Sequence, residues 1–437
     1  MSSSPNSDYH SFGRVILRKA FCLDEDSAHC NHGGIGTVPR SILTEQFRLM
    51  ERRERNPELW VRCRYEDLYM KAVNCVAEFV GSRPENLVLL ENASTAVNSV
   101  LKSLHWKNGD KILVNNHSYG AVQKLAKFIA DEVPGVEKVV FSIPVPLKDE
   151  CEVVNSLEKA IELNPGIRIA ILDHITSSTA IVMPIQRMIE VCHRQGILVF
   201  VDGAHAPGQV NLELESLVGV DYYAGNLHKW LFTPRGCAFL WMHPKHHKTT
   251  HPLVTSHYQF YPRLQDRYCL QATRDDIPYL LAPTAIQFYR SQLGGLENIM
   301  DYTSRLIEWA AEMLSEAWGT PNLAIPSHMR APCMALIGLP PCDRYVVPPV
   351  GEWNRQLMND LREKYNVYIF TPSFGGKIWC RISCQVYNSE EDYYKLRDAV
   401  KELMGVNPAT PAKRVKNSLD NDRKIELIEV KVHVEEV

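Results

Sequence analysis

Short apolar runs alternate with amphipathic segments between about residues 65 and 245. The strand-like runs are 111–115, 139–142, 167–173, 197–202, 222–224 and 237–242. Helical spacing of apolar residues marks 93–104, 122–129, 156–163 and 184–195. This alternation favours a mostly parallel sheet covered by helices, because parallel strands need long crossover connections. We therefore predict an α/β fold for this part of the chain.

The sequence changes in character after about residue 300, which indicates a second, smaller domain. An amphipathic segment at 305–318 is followed by Pro-rich sequence around an apolar run at 334–339. Apolar positions 353, 357 and 361 predict a helix, 378–384 predicts a strand, and Ser389 is placed to cap a last helix. We predict an N-terminal segment (1–40), a large domain (41–300), a small α+β domain (301–405) and a charged tail (406–437), in which 425–434 permits a strand.

Composition excludes several classes of function. The formal net charge of −3 gives no general attraction to nucleic acid or to an anionic membrane, and no apolar span is long enough for a membrane helix. The N-terminus lacks the apolar core of a signal peptide, so we expect a cytoplasmic protein. Its 12 cysteines show no CxxC spacing, so we expect reduced thiols and no metal site.

A lysine and an aspartate stand where such a sheet binds ligands. Asp202 follows the apolar run 197–201, so its carboxylate is expected at the C-terminal end of a buried strand. Lys229 lies within the segment 225–230. A lysine amine can form a Schiff base with an aldehyde cofactor, and a carboxylate can keep a pyridine nitrogen protonated. Together the two residues predict a site for pyridoxal phosphate (PLP).

The segment 91–98 opens a predicted helix with small and hydroxyl residues. A helix N-terminus offers unpaired N–H groups and the positive end of a dipole to a phosphate. Ser94 and Thr95 can add hydroxyl donors, and His228 beside the lysine is a further candidate donor. The alternative is a capped helix that binds no ligand.

Seven segments, in order along the chain, carry a closer resemblance. They are 31–39, 91–98, 173–178, 201–205, 226–230, 272–275 and 381–388. On these segments the chain resembles the aminotransferase class V family, which has fold type I among PLP enzymes. Within that family it resembles the branch of cysteine desulfhydrases, isopenicillin N epimerases and hercynylcysteine sulfoxide lyases. The resemblance implies a homodimer with sites at the subunit interface.

By this resemblance, Lys229 would carry the cofactor and Asp202 would pair with the pyridine nitrogen. The full set of cofactor-binding residues would be Lys229, Asp202, His205, His228, Ala93, Ser94, His117, Ser177 and Thr273. His205 would lie under or beside the ring, and Thr273 would reach the phosphate of a neighbouring subunit. Many relatives have an Asn near Ser177 that contacts the cofactor's phenolic oxygen. Here a hydroxyl or an imidazole would replace it.

The resemblance also implies residues that act on the substrate, a small amino acid. His117 matches the position whose ring stacks on the cofactor, and Tyr119 is a rival for that place or a general acid. The alternative for both is ordinary packing at a strand end. Arg381 would bind the substrate carboxylate bidentately, the alternative being a structural salt bridge. Asn31 and His32 would line the substrate entrance.

One difference separates the activities within the family. Cysteine desulfurases carry a nucleophilic Cys on a loop before the Arg motif, whereas 365–377 contains none. Cys380 precedes Arg381 on a predicted strand, where burial is expected. We therefore predict a PLP-dependent C–S lyase that acts on cysteine or a cysteine conjugate by β-elimination. An amino-acid epimerase of the isopenicillin N epimerase type and a noncatalytic protein retaining the fold remain as alternatives, and the sequence does not identify the leaving group.

Overall fold

A computed structural model describes residues 12–349 and 351–406. Its helices are α1 (Arg14–Ala20), α2 (His32–Ile35), α3 (Arg40–Arg55), α4 (Pro57–Leu59), α5 (Tyr65–Phe79), α6 (Ala93–Ser103), α7 (Gly120–Glu132), α8 (Glu150–Leu163), α9 (Ile185–Arg194), α10 (Leu227–Trp230), α11 (Leu264–Cys269), α12 (Ile277–Leu280), α13 (Ala282–Gln287), α14 (Gly295–Trp318), α15 (Arg355–Tyr365) and α16 (Glu390–Met404). Its strands are β1 (Ala28–His29), β2 (Leu87–Leu90), β3 (Lys111–Asn115), β4 (Glu137–Phe141), β5 (Ile167–Asp173), β6 (Leu198–Asp202), β7 (Tyr222–Asn226), β8 (Ala238–Met242), β9 (Met334–Gly338), β10 (Val367–Tyr368), β11 (Ser373–Phe374) and β12 (Lys377–Ser383).

The largest sheet in the described residues has the strand order β2–β8–β7–β6–β5–β3–β4. Strands β3 to β7 run parallel to one another, whereas β8 runs antiparallel to both β7 and β2. The central strands are buried almost throughout, because helices cover both faces of the sheet. This architecture confirms the predicted α/β fold with a mostly parallel sheet.

Most predicted elements match the observed ones within one or two residues at each end. Strands β3 and β5 have the predicted bounds. Strand β2 has no predicted counterpart, because four consecutive apolar residues carry no periodicity that separates strand from helix. The prediction that Trp353 lies in a helix is wrong. Asn354 caps α15 by accepting a hydrogen bond from the Leu357 N–H, and Trp353 bridges to Pro372 instead.

A smaller antiparallel sheet, ordered β11–β12–β9, follows the long helix α14. Helices α14, α15 and α16 pack with it around a second hydrophobic cluster that contains Leu306, Leu357 and Leu396. Helix α14 begins at Gly295, before the predicted start at residue 305, and therefore crosses residue 300. The domain bounds stay a prediction, and the tail beyond residue 406, with its predicted strand at 425–434, lies outside the described residues.

The N-terminal segment contacts both the smaller part of the structure and α10, the short helix that carries Lys229 (called the lysine helix below). Strand β1 pairs in parallel with β10 of the smaller part, and α2 packs against α10. At Gly36 the φ angle is +77°, and a Cβ there would lie 2.0 Å from the carbonyl oxygen of His228. Only glycine allows this close approach. Between residues 12 and 406, with residue 350 aside, no helix has the length and apolar character needed to cross a membrane.

Candidate active site

A cavity of about 350 Å³ lies at the C-terminal edge of the large sheet. The ends of β5, β6 and β7 and the first residues of α6 and α10 contribute to it, which is the place where open α/β sheets bind ligands. The predicted site residues in its lining are Ala93, Ser94, Tyr119, Ser177, Asp202, His205, His228 and Lys229. The structure therefore brings these eight residues together.

The amine of Lys229 lies inside this cavity, on the short helix that follows β7. Its Nζ is 3.0 Å from Nε2 of His205, and the same Nε2 is 3.3 Å from the Ser177 hydroxyl. Burial and the nearby charge of Arg381 lower the pKa of Lys229 to about 7, against the opposing effect of Asp202. Burial also holds the pKa of His205 well below its usual value, so the ring is neutral. A large share of the lysine is thus neutral and nucleophilic near pH 7.

Two carboxylates lie side by side at the strand ends. Asp202 ends β6, Asp173 ends β5, and the two residues are paired in register. Both are buried, and burial is the main cause that raises the pKa of each carboxyl group. The Asp202 Oδ1 accepts a hydrogen bond of 3.0 Å from the Ala204 N–H. Asp173 was not predicted as a site residue, although its place at the end of the run 167–173 is the signal that identified Asp202.

The start of α6 has the properties of an anion site. Asn92 caps the helix by accepting from the Thr95 N–H at 2.8 Å, and Asn226 accepts from the Ala93 N–H at 2.9 Å. The N–H and hydroxyl of Ser94 make no hydrogen bond to other described residues. These free donors, at the positive end of an eleven-residue helix, are available to a phosphate.

The hydrogen bond of His228 fixes its tautomer. Its Nδ1 lies 3.0 Å from the Cys237 carbonyl oxygen, so Nδ1 carries the hydrogen and donates. Burial lowers the pKa of His228 to about 4, which leaves Nε2 an acceptor in the neutral ring. A phosphate dianion beside Nε2 would favour the doubly protonated ring. The predicted role of His228 as a phosphate donor therefore requires uptake of a proton.

Arg381, on β12, lies next to the cavity and contacts Ser177, which lines it. Its Nη1 donates to the Ser177 carbonyl at 2.7 Å and its Nη2 donates to Oδ1 of Asn31 at 2.7 Å. The guanidinium also lies 4.7 Å from the ring centre of Phe370. It is 2% exposed, and it forms no ion pair within residues 12–349 and 351–406. The described residues therefore do not support the alternative that Arg381 forms a structural salt bridge. A buried cation without a counter-ion can bind an anionic ligand.

The structure corrects the predicted position of His32. The ring is fully buried, with Nε2 at 2.6 Å from the Lys229 carbonyl oxygen and Nδ1 at 3.0 Å from the Tyr387 hydroxyl. Burial lowers the pKa of His32 to about 3, so Nε2–H donates to the carbonyl and Nδ1 accepts from the tyrosine. His32 therefore supports the backbone of the lysine helix and does not line an entrance. Asn31 lies beside Arg381 instead.

His117 and Thr273 also lie outside the cavity lining. The His117 ring is buried and packs edge-on against Phe374, with ring centres 5.4 Å apart. Tyr119, two residues later, is 48% exposed and does line the cavity. Thr273 is exposed on the surface, and its predicted contact with a cofactor of a neighbouring subunit stays a prediction.

The arrangement of donors fits PLP. One cavity holds three groups that PLP requires. The partly neutral amine suits its aldehyde, the buried carboxylate at a strand end suits its pyridine nitrogen, and the free donors at a helix start suit its phosphate. The Nδ1 of His205 and the Nε of Arg381 are buried without a hydrogen-bond partner in the described part of the chain. Such unsatisfied groups are costly unless a ligand completes them.

Comparisons with known proteins agree with this geometry. The chain is 29% identical over 410 residues to a probable L-cysteine desulfhydrase, chloroplastic, of Arabidopsis thaliana, covering 87% of this chain and 84% of that protein. It is 25% identical over 396 residues to a hercynylcysteine sulfoxide lyase of Schizosaccharomyces pombe, covering 89% and 97%. It is 29% identical over 407 residues to an isopenicillin N epimerase of Amycolatopsis lactamdurans, covering 88% and 97%.

Solved structures share the fold. The cystine C–S lyase C-DES, in complex with its reaction product cysteine persulfide, superposes with a TM-score of 0.70 at 21% identity, covering 86% of this chain and 97% of that one. The model of the family described as aminotransferase class V matches residues 62–337, which is more than half of the chain. The chain therefore belongs to the aminotransferase class V family.

Proposed function

We propose that this protein is a PLP-dependent C–S lyase that acts on cysteine or a cysteine conjugate. The observation that carries the proposal is the buried Lys229 amine, 3.0 Å from Nε2 of His205, in a cavity that also holds Asp202 and the start of α6. The names of the desulfhydrase and sulfoxide lyase relatives support the substrate class.

Different residues of the cavity would hold different parts of the cofactor. Lys229 would bind its aldehyde carbon, and Asp202 its ring nitrogen. Ser94 and the α6 N-terminus would hold the phosphate, together with protonated His228. His205 and Ser177 would lie near the phenolic oxygen. Tyr119, rather than His117, would cover the ring, because Tyr119 is the one of the two that lines the cavity.

The chain's own groups would then position the substrate and move its proton. When bound, PLP withdraws electron density from the substrate Cα, so that a sulfur group on Cβ can leave. Arg381 would bind the substrate carboxylate in exchange for its contact with Asn31. The Lys229 amine, freed by the substrate amine, would take the Cα proton. Its pKa near neutrality suits a base that must both accept and return a proton.

The cysteines of this chain favour direct elimination over sulfur transfer to the protein. The stretch 365–377 has no thiol, and Cys380 is fully buried on β12. Burial raises the pKa of the Cys380 thiol far above neutrality, which suppresses the thiolate that a persulfide carrier needs. The sulfur would therefore leave with its substituent, and the remaining aminoacrylate would hydrolyse to pyruvate and ammonia.

A substrate panel tests the proposal. Purified protein loaded with PLP should release pyruvate from cysteine, a cysteine sulfoxide or a bulkier thioether, and the preferred member identifies the leaving group. Conversion of an amino acid to its enantiomer in D₂O, with deuterium at Cα and no pyruvate, would select the epimerase alternative instead. Failure to bind PLP at all would favour a noncatalytic protein.

We also propose that the protein is a homodimer in which Thr273 of one subunit completes the phosphate site of the other. Thr273 is exposed, and it follows Ala272, whose φ of +64° lies in the left-handed region of backbone conformation. Sedimentation at micromolar concentration should give twice the mass of 49.8 kDa. A monomer that binds PLP with normal affinity would contradict this proposal.

A further inference from the structure

A buried polar network links Asp173 to the turn that carries Tyr119. The Oδ2 of Asp173 accepts hydrogen bonds from the Asn115 side-chain amide at 2.6 Å and from the Ser118 hydroxyl at 3.0 Å. Asn115 is fully buried at the end of β3, and Ser118 is 7% exposed. Asp173 therefore joins the end of β5 to the turn between β3 and α7.

The same network fixes the backbone of that turn. The Ser118 hydroxyl oxygen accepts from the Asn115 N–H at 3.1 Å, and the Asn115 side-chain oxygen accepts from the His117 N–H at 2.8 Å. Tyr119 comes next, as the residue that precedes α7, and its side chain lines the cavity. The Tyr119 side chain makes no hydrogen bond to other described residues, so the network acts on Tyr119 through the backbone that precedes it.

Asp173 also stands directly beside Asp202. The two are register partners at the ends of neighbouring parallel strands, and neither forms an ion pair within the described parts of the chain. Two buried carboxyl groups at neighbouring strand ends disfavour each other's charged form. Burial and the charge of Asp202 raise the pKa of Asp173 to about 8, which favours the neutral form of Asp173 near pH 7.

We propose that Asp173 is a positioning residue of this site, which holds the Asn115–Ser118 turn so that Tyr119 lies over the cofactor. The inference rests on the proposed function, because Tyr119 needs PLP in the cavity to act. Asp173 lines the cavity, but the proposed function assigns it no part of the cofactor to bind. A neutral acid in this place leaves the charge of Asp202 for the pyridine nitrogen.

A double-mutant cycle on PLP binding tests the assignment, with absorbance titration of the cofactor-free protein as the readout. Asp173→Ala and Tyr119→Ala should each weaken PLP binding by about tenfold, the effect expected from losing one or two buried contacts. The double variant should bind no more weakly than the weaker single variant, since Asp173 acts through Tyr119. Asp173→Asn, which keeps an acceptor oxygen and cannot ionise, should bind PLP within about twofold of the wild type.

Asp221 provides the matched control. It is a buried carboxylate at the opposite end of the same sheet, where it accepts from the Val199 N–H at 2.8 Å. Asp221→Ala should lower the unfolding temperature. Its effect on the free energy of PLP binding, whatever its size, should add to that of Tyr119→Ala. If Asp173→Ala fails to fold, Ser118→Ala takes its place in the cycle with the same expected result.

Several results would overturn the assignment. Additive effects of Asp173→Ala and Tyr119→Ala would give Asp173 a merely structural role. The same conclusion follows if Tyr119→Ala leaves PLP binding unchanged, or if Asp173→Asn is as weak as Asp173→Ala. A wild-type protein that binds no PLP would instead contradict the proposed function, so the two failures are distinguishable.

Discussion

The amine of Lys229 lies 3.0 Å from Nε2 of His205. Because burial keeps the His205 ring neutral, its Nε2 can accept a hydrogen bond from the lysine amine. Burial and the nearby charge of Arg381 lower the pKa of Lys229 to about 7, so the amine can lose its proton near neutral pH, and this property underlies each chemical role that we assign to it.

The rate of PLP attachment to the cofactor-free protein should rise with pH through about 7. The neutral amine is the attacking form, so the rate should fall about tenfold for each pH unit below that value. Stopped-flow absorbance measures it. Arg381→Gln should move the midpoint upward, because the Arg381 charge helps to keep the lysine neutral. A midpoint near 10.5, the ordinary pKa of lysine, would refute this account of the site.

Arg381→Ala should bind PLP with normal absorbance and lower kcat/KM by about 10² or more, since a bidentate charged contact is worth a few kcal/mol. Arg381→Lys should recover only part of the loss, because an ammonium cannot form the planar fork. Steady-state kinetics across a range of substrate concentrations decides the matter. Normal kcat/KM after reconstitution with PLP would make Arg381 a structural residue.

His32→Ala should lower the free energy of unfolding by about 1–3 kcal/mol, because the Tyr387 hydroxyl and the Lys229 carbonyl lose a buried partner. Urea denaturation of the cofactor-free protein measures the change. His243, which is exposed, serves as the control, and its replacement by Ala should change stability by less than about 0.5 kcal/mol. Equal stability of the two variants would show that the buried contacts of His32 contribute little.

Cys380→Ala should keep turnover within about twofold of the wild type, since a buried thiol with a raised pKa takes no part in elimination. Mass spectrometry during turnover should find no additional sulfur on the protein. Cys384 is also fully buried, and Cys384→Ala controls for the loss of packing. A large loss of activity confined to Cys380→Ala, with normal PLP binding, would indicate a persulfide carrier.

The ends of β3, β5 and β6 could be predicted from the sequence because each of these buried strands is a short apolar run that stops at a polar residue. Asp202 was recognised in this way, and the lysine followed from its chemistry and the family resemblance. The direction of β8 could not be predicted, because its antiparallel pairing with β2 and β7 depends on contacts between distant segments.

The differences between the predicted and observed positions of site residues have physical causes of the same kind. His32 is buried because Tyr387 and the lysine helix pack around it, and neither neighbour is close in sequence. His117 and Tyr119 lie on one turn, and the hydrogen bonds of Asn115 and Ser118 decide which of them faces the cavity. A one-dimensional pattern carries no information about that choice.

Release of pyruvate from the preferred substrate, compared between wild type and Lys229→Ala, tests the central claim most directly. The wild type, loaded with PLP, should form one pyruvate and one ammonia for each substrate molecule consumed. Lys229→Ala should still bind PLP in the cavity but release pyruvate slower by about 10³ or more, because it lacks both the attachment point and the base. Pyruvate release at an unchanged rate in Lys229→Ala would contradict the account.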